Sequence, residues 1–478
     1  MSNYSILPFR FERFEDDYFI SNEIGEYVYL NPIDFNSFVN HNLDIESDAY
    51  LNLKSKHIVA DTNIESVIEL LATKYRTKKN FLSEFTSLHM IVASLRCNAN
   101  CSYCQVSKKN VEDYQFDMDK STAKKTVDMI FKSPSNNIKI EFQGGEPLLN
   151  YKIIKYIINY AEWKNIYHKK NLEFVICTNL TLINEKMLRW ISKHKVYIST
   201  SIDGPRDLHN KNRPLQKNNN SFESVVEKIK LCREYLGEDS VSALMTTSSY
   251  SLGNFPEIID TYRELGFNSI FLRALNPYGF AKRDEHFLAY PVNKFIEEYK
   301  LGLNYIIQIN LSGEYFCEDY ATILLSRILT PFSTGFVDLQ SPSGIAISGV
   351  IYDYDGDVYV SDEGRMLASS GDKTFKIGNV NNDKYEEIFN SDYLHELIEY
   401  SVAESLPQCS TCAYLSYCGG DPVRNYNEQK DFIGHRPTSD FCKKNKSIIQ
   451  YLLSLLKEDN PEINKIFWSW ILRRNIEL

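Results

Sequence analysis

The chain has 478 residues, with 53 Lys and Arg against 63 Asp and Glu, for a formal net charge of -10. That length allows roughly two to four domains with an ample core, and 32 Tyr and 27 Phe exclude a disordered chain. The acidic balance argues against a nucleic-acid binder, no apolar run reaches the roughly 18 residues of a membrane span, and Met1 to Phe11 lacks a signal-peptide layout. A cytoplasmic protein is expected. In that compartment ten cysteines read as metal ligands, catalytic thiols or small buried side chains rather than disulfides.

Residues 1–85 read as an N-terminal unit, a small α+β or winged-helix-like module. Tyr18 to Ile20 and Tyr27 to Leu30 predict two strands around Asn22-Glu-Ile-Gly25, and Ile64 to Tyr75 predicts a helix. Residues 86–284 alternate strand and helix. The predicted strands are His89–Ala93, Ile138–Phe142, Glu173–Cys177, Val196–Ser201, Val241–Thr246 and Ser269–Arg273. Six such units imply a parallel α/β sheet with helices outside and chemistry at the carboxyl ends of the strands. Residues 285–344 predict a helical bridge. In 345–450, Ile345 to Tyr354 and Val358 to Ser361 flank the turn pair Asp355-Gly356, followed by a helical stretch around Tyr385–Tyr400. The tail, 451–478, predicts an amphipathic packing helix with Phe467, Trp468, Trp470 and Ile471.

The strand ends carry the polar residues. Arg96 and Cys97, Cys101 and Cys104 follow the first, Gly144-Gly-Glu-Pro147 the second, Thr178-Asn179 the third, and Ser201-Ile-Asp-Gly-Pro205 with Arg213 the fourth. Thr246 and Thr247 follow the fifth, and Arg273 and Asn276 the sixth. Three thiols so close in sequence can converge on one metal centre. Zinc usually wants four ligands, whereas an iron–sulfur cluster bound by three leaves one iron open. Spacing alone leaves zinc open. Cys409, Cys412 and Cys418, with Cys442 further on, supply four thiols, enough for a closed site of zinc or of iron and sulfide. Cys177, Cys232 and Cys317 stand alone and read as buried small side chains.

Cys97-x3-Cys101-Ser-Tyr103-Cys104 after the first strand, with Gly-Gly-Glu-Pro after the second, resembles the radical S-adenosylmethionine (SAM) superfamily over residues 88 to about 280. The resemblance implies a partial (β/α)6 barrel. It implies a [4Fe–4S] cluster on Cys97, Cys101 and Cys104 whose open iron holds the amino and carboxylate groups of SAM. Gly144, Gly145, Glu146 and Pro147 would face the methionyl amino group, Tyr103 belongs to the cluster motif, and Asn179, Ser201 and Arg213 fall where the family places SAM-contacting residues. Asp203-Gly-Pro205 also reads as a plain turn. The chemistry implied is one-electron cleavage of SAM and hydrogen abstraction from an unactivated carbon.

The second cysteine group resembles the SPASM (or twitch-like) C-terminal domain of peptide-modifying members, which usually binds two auxiliary clusters. Here Ser361 replaces the hairpin cysteine, Pro422 stands where another is expected, and Cys317 lies too far upstream to serve. The resemblance therefore implies one auxiliary [4Fe–4S] cluster, on Cys409, Cys412, Cys418 and Cys442. Pro8 to Phe11, Asn22 to Tyr27, Cys104 to Ser107, Phe142 to Leu148, Asn276 to Ala281 and Ser361 to Met366 together resemble the radical SAM maturases of the His-Xaa-Ser peptide system. That resemblance implies a precursor-peptide substrate, an electron donor such as flavodoxin or ferredoxin, and a product that is crosslinked or epimerised. A maturase of a folded protein, as in sulfatase activation, and a zinc-bound binding protein are the competing readings.

Overall fold

The computed structural model describes residues 4–61, 63–216, 220–279 and 288–475. Phe280 and Ala281, which close one of the stretches named above, lie outside them. The chain divides into two units. One comprises Met1–Ser83, Ile323–Gly344 and Leu397–Ser454; the other comprises Glu84–Thr322, Ile345–Glu396 and Leu455–Leu478.

In the first unit β1 (Ser5–Ile6) pairs with a later strand, and β2 (Phe9–Phe14), β3 (Asp17–Asn22) and β4 (Tyr27–Leu30) form an antiparallel meander. The two-residue strands of this unit, β1 among them, are missing from the sequence reading, and so is β2, whose charged residues break its apolar pattern. At the β3–β4 turn the Asn22 carboxamide oxygen accepts the Ile24 and Glu26 amides at 3.1 and 3.0 Å. Gly25 there has φ +88°, which a residue with a Cβ adopts only under strain. Helices Pro32–Val39 and Asp48–Ser55 start at the caps Asn31 and Ser47. Their Phe38, Tyr50 and Leu53 close a core with Ile20, Val28 and Leu30. β5 (Val59–Ala60) is the partner of β1. The third helix runs Ile64–Lys78.

The second unit is built on an eight-stranded sheet. β6 (Leu88–Ser94), β7 (Asn137–Gly144), β8 (Asn171–Cys177), β9 (Val196–Ser201) and β10 (Val241–Leu244) lie parallel and in sequence order. Helices Lys120–Ile130, Tyr151–His168, Glu185–Ile191 and Ser221–Leu236 connect them. Strands added always on the same side, by right-handed crossovers, place their helices on one face. The strand patterns agree. Ile138, Ile140 and Phe142 of β7 and Leu172, Phe174 and Ile176 of β8 are buried. The alternate positions are Lys139, Glu141 and Gln143, and Glu173, Val175 and Cys177. A parallel sheet covered on both faces would read as continuous apolar strands. This alternation, interrupted by the buried Val175, marks a second face that carries polar groups.

The expected sixth strand does not join this sheet. β11 (Ser269–Ile270) pairs instead with β12 (Cys317–Glu318). Beyond Ile270 the Leu272 amide donates to the Glu318 carboxylate at 2.9 Å, so a side chain takes the place of a sheet neighbour. On the opposite edge β13 (Gly349–Tyr352) lies parallel to β6, and β14 (Asp357–Tyr359) and β15 (Lys376–Asn379) follow antiparallel. All four residues of β13 are buried, as a strand inside a sheet requires. The barrel is therefore open among the described residues, and the Asp355-Gly356 hairpin continues its sheet. The helix expected over Tyr385–Tyr400 is two, Tyr385–Phe389 and Asp392–Glu399. The tail helix is Pro461–Ile471; Phe467 and Trp470 are buried, and the Trp470 indole donates to Asn310.

Candidate active site and second cysteine centre

β6 ends at Ser94, and the chain then turns through Arg96 into the first cysteine loop. Arg96 anchors this turn. Its guanidinium grips Asp117 with two hydrogen bonds, 2.8 and 2.6 Å, and donates to the Val111 and Leu149 carbonyls. On its other side the loop runs along residues 212–216. The Asn100 amide donates to the Pro214 carbonyl at 2.7 Å, the Ser102 amide to that of Asn212 at 2.9 Å, and the Gln216 carboxamide to that of Cys97 at 3.0 Å. Glycines let β7 come close. A Cβ on Gly144 would lie 2.1 Å from the Ser94 oxygen, and one on Gly145 2.4 Å from that of Arg96. Gly144 also has φ +126°.

Glu146 is fully buried, and its carboxylate points into the protein. It accepts the Thr178 hydroxyl at 2.7 Å and the Asn179 and Leu148 amides at 2.8 and 3.0 Å. Burial, opposed by these three donors, pushes its carboxyl up to about 7. Glu146 thus ties the end of β7 to the end of β8, and Pro147 opens the short turn Pro147–Asn150 that follows. The Asn179 side chain donates to Asn98 at 2.9 Å and accepts from Thr181, joining the β8 end to the cysteine loop.

The end of β9 supplies a buried network. The Asp203 carboxylate accepts the Tyr103 hydroxyl at 2.5 Å, Arg213 Nε at 3.1 Å and the Thr246 amide at 3.3 Å. The Arg213 guanidinium lies 5.2 Å from the centre of the Tyr103 ring. Tyr103 is 4% exposed and Asp203 not at all. Arg213 is therefore an interior ion-paired residue, and Asp203 is more than a turn residue. The Gly204-Pro205 pair that signals a turn in sequence conceals it. Ser201 closes β9, half-buried and paired with Leu244. Facing the open side of the sheet, Cys177 donates to Glu141 at 3.3 Å.

Burial raises the Cys97 and Cys101 thiols, that of Cys101 up to about 11; neighbouring thiolates add to this and Arg213 opposes it at Cys101. Three soft thiols on one loop, with no fourth close by in sequence, suit an iron–sulfur cluster that leaves one iron open.

The second centre lies in the other unit, on a loop built from its N-terminal sheet. Arg10 donates to the Ser410 carbonyl at 2.6 Å, the Ser21 hydroxyl to that of Ala413 at 2.6 Å, and the Tyr417 hydroxyl to that of Gly25 at 2.6 Å. Phe19 stacks on Tyr414 with centroids 5.3 Å apart. Arg327 Nε donates to the Tyr417 carbonyl at 3.0 Å and its Nη2 reaches those of Ser416 and Cys418. Burial raises Cys412 and Cys418 to about 11, against the Tyr414 amide at Cys412 and with Cys409 and Cys442 adding at Cys418. Cys442, on helix Asp440–Lys457, is raised by burial and then by Cys412 and Cys409. The cysteine substitutes have structural duties: Ser361 caps helix Asp362–Ala368 through the Gly364 amide, and Pro422 opens helix Pro422–Gln429. No described helix is long and apolar enough to cross a membrane.

Residues 91–262 match the family described as the radical SAM superfamily. An uncharacterized protein, MJ0907, of Methanocaldococcus jannaschii is 32% identical over 217 residues, 45% of this chain and 70% of its own. A cysteine-type anaerobic sulfatase-maturating enzyme of Clostridium perfringens is 25% identical over 379 residues, 76% of this chain and 95% of its own. The crystal structure of Streptococcus suis SuiB bound to precursor peptide SuiA superposes with a TM-score of 0.54 at 15% identity, over 92% of this chain and 99% of that one.

Proposed function

The chain belongs to the radical SAM superfamily, and from that premise we propose that it modifies a ribosomally made precursor peptide, as its resemblance to the maturases of the His-Xaa-Ser system implies. Its established part is that of a radical SAM enzyme related to sulfatase and peptide maturases. When bound, the [4Fe–4S] cluster and SAM supply one-electron cleavage of the SAM carbon–sulfur bond and, with it, removal of a hydrogen atom from an unactivated carbon. Cys97, Cys101 and Cys104 would hold the cluster. Gly144 and Gly145 bring the end of β7 against the Ser94 and Arg96 carbonyls, and their own carbonyls would face the SAM amino group. Glu146, Asn179, Asp203 and Arg213 keep the strand ends in register around the cysteine loop. The polar face of the sheet, with Glu141, Gln143 and Cys177, would receive the substrate.

Cys409, Cys412, Cys418 and Cys442 would ligate one auxiliary cluster fully, which suits electron transfer rather than substrate capture. A flavodoxin or ferredoxin would feed the enzyme in the cytoplasm. The observation that carries the peptide reading is the extent of the likeness to peptide-bound SuiB: 92% coverage leaves too few residues to omit Met1–Ser83. Those residues, with an exposed apolar Phe11 and a short meander edge at β2, offer a place for peptide strand addition. A second reading, a maturase that oxidises a cysteine or serine of a folded protein, is favoured by the 25% identity to the sulfatase-maturating enzyme over 95% of its length.

Mass spectrometry of a candidate precursor tests the proposal. The peptide is co-expressed anaerobically with the wild-type chain and with a Cys97→Ala/Cys101→Ala/Cys104→Ala variant. A loss of two hydrogens, absent with the variant, marks a crosslink. An unchanged mass that gains one deuterium per site in heavy water marks epimerisation. No change in either solvent, together with formylglycine formation in a sulfatase, supports the second reading instead.

A further inference from the structure

The stretch that supplies the helices outside the sheet carries a charge opposite to that of the chain. Residues 120–195 hold 14 Lys and Arg against 6 Asp and Glu, within a chain of formal net charge -10. Two of its helices, Lys120–Ile130 and Tyr151–His168, lie side by side. The acids on this face are already taken. Asp128 pairs with Lys124 and with Lys164, each at 2.7 Å, and Glu162 pairs with His194 at 2.8 Å. Lys152 is exposed. Lys120 lies over the Tyr156 ring at 4.9 Å and Lys155 over that of Trp190 at 5.2 Å, rather than against a carboxylate. Between these lysines runs a ladder of rings. Tyr156, Tyr160 and Trp163 stack with centres 5.9 and 5.6 Å apart, and beyond them Trp163 and Tyr167 are 55% and 76% exposed. Exposed, mutually braced Trp and Tyr side chains inside a charged rim have the make-up of a protein interface. From Tyr156 to Tyr167 the helix rises about 16 Å, which fits within one partner's share of a standard interface.

Both helices start at the anchor of the first cysteine loop. Lys120 follows Asp117, which Arg96 grips, and Lys152 follows Leu149, whose carbonyl accepts from Arg96. The Asn150 side chain donates to the Ala93 and Met118 carbonyls at 2.9 and 3.0 Å and so pins both helix starts to the end of β6. Arg96 is the chain neighbour of Cys97. The basic edge therefore borders the cysteine loop on the helix side of the sheet, away from the face that carries Glu141, Gln143 and Cys177. A second copy of the chain is a poor occupant, because a two-fold contact would set lysines against lysines. A nucleic acid would meet the repulsion of an acidic chain as a whole. An acidic protein meets neither obstacle at this face.

We propose that the outer face of helices Lys120–Ile130 and Tyr151–His168 is the docking surface for the electron donor, a small acidic protein that carries single electrons. Lys120, Lys152 and Lys155 steer it, and Trp163 and Tyr167 are its apolar anchors. The inference rests on the reading of Cys97, Cys101 and Cys104 as holders of a cluster that must be reduced. The carrier loses one electron to that first centre, no other group moves, and the second centre is not on the route.

The test uses the full-length chain, reconstituted anaerobically, and reads SAM cleavage as methionine and 5′-deoxyadenosine formed. Reduced flavodoxin and dithionite are the two reductants; dithionite needs no protein interface. Lys120→Glu/Lys152→Glu/Lys155→Glu is expected to lower the rate at limiting flavodoxin about tenfold or more at low ionic strength. The gap closes as salt rises, and the dithionite rate stays at the parent's. Trp163→Ala is expected to weaken flavodoxin at every salt concentration, with the dithionite rate again unchanged. Lys230→Glu/Lys294→Glu/Lys384→Glu makes the same change in net charge elsewhere and is expected to leave both rates alone. Equal flavodoxin rates in the two triple variants overturn the inference. So does an unchanged flavodoxin rate beside a salt-sensitive retardation of RNA that the first triple variant loses, which gives the face to nucleic acid. If the first triple variant slows with both reductants, Lys152→Glu alone decides: a fall with flavodoxin only supports the docking face, and parity refutes it. A parent that forms no 5′-deoxyadenosine with dithionite overturns the cluster reading and the inference with it.

Discussion

Replacing Asp203 by Asn probes the frame that holds the first cysteine loop. The wild-type carboxylate serves Tyr103, Arg213 and Thr246 from a fully buried position. Asn keeps the shape but loses the charge, and its amide nitrogen accepts nothing. The Arg213 side chain, 17% exposed, is then a nearly buried cation without its anion. Removing one partner of a buried pair costs about 3–5 kcal/mol. The residual exposure puts Asp203→Asn at the lower end, about 3 kcal/mol. Asp203→Ala also strands the Tyr103 hydroxyl, adding about 1–3 kcal/mol. The double variant Asp203→Leu/Arg213→Met removes both charges and recovers most of the loss, since an apolar replacement of a whole pair is often close to neutral. Urea unfolding of the iron-free chains gives the stabilities, and absorbance after reconstitution reports whether the loop still takes up iron and sulfide. A loss below about 1 kcal/mol for Asp203→Asn, within the range of an exposed pair, would refute the reasoning.

The carboxyl of Glu318, raised by burial to about 7 against donors from Tyr299, Ala321 and Leu272, gives a pH test. Between pH 4.5 and 7 the folded chain keeps a proton that the unfolded chain releases, so stability falls as pH rises through that window, by about 3 kcal/mol per such group. Glu146, Asp353 and Asp421 act in the same direction, so Glu318→Gln should flatten, without abolishing, the slope in urea midpoints measured from pH 5 to 8; an unaltered slope rules Glu318 out as a source. Gly144→Ala places a Cβ 2.1 Å from a backbone oxygen, whereas Gly237, also at positive φ, has nothing within 4 Å. Thermal unfolding should show Gly144→Ala well below Gly237→Ala, whose cost is backbone strain of about 1–3 kcal/mol. Arg327→Met removes the donors that hold the Ser416, Tyr417 and Cys418 carbonyls; iron retained by the second cysteine group should drop on dialysis against a chelator, and full retention would deny Arg327 that role.

Period-two apolar patterns made β6 to β9 legible, and Val196–Ser201 has the same bounds in the sequence reading and in the structure. Those strands are long, and their helices show clear stripes. The eight-stranded extent of the sheet was not legible. β13 sits far down the chain from β6, and nothing local to Gly349–Tyr352 says which edge it will join. Ser269–Arg273 looks like a strand because Ile270, Phe271 and Leu272 are apolar, but the carboxylate that satisfies Leu272 comes from residue 318. At the site, residue types and spacing pointed to the cysteines and the glycines. Asp203 was hidden for a different reason: it owes its importance to what it shares in space, a buried charge with three donors.

The first unit is drawn from three stretches of chain, and its tightest ties join residues nearly 400 positions apart, as Ser21 to Ala413 does. A ribosome adding about 5–20 residues per second finishes Met1–Ser83 roughly 20 to 70 s before Leu397–Ser454 is complete. During that interval β3 presents Phe19 without Tyr414 to cover it. The early segment must wait, shielded by its own small core of Ile20, Val28 and Phe38 or by a chaperone. The loop of Cys409, Cys412 and Cys418 has no bed until its residues 410–417 have met the N-terminal sheet. Any metal taken up by these cysteines would accordingly bind late in the life of the chain, and a deletion within Met1–Ser83 would disable the loop even when every cysteine remains.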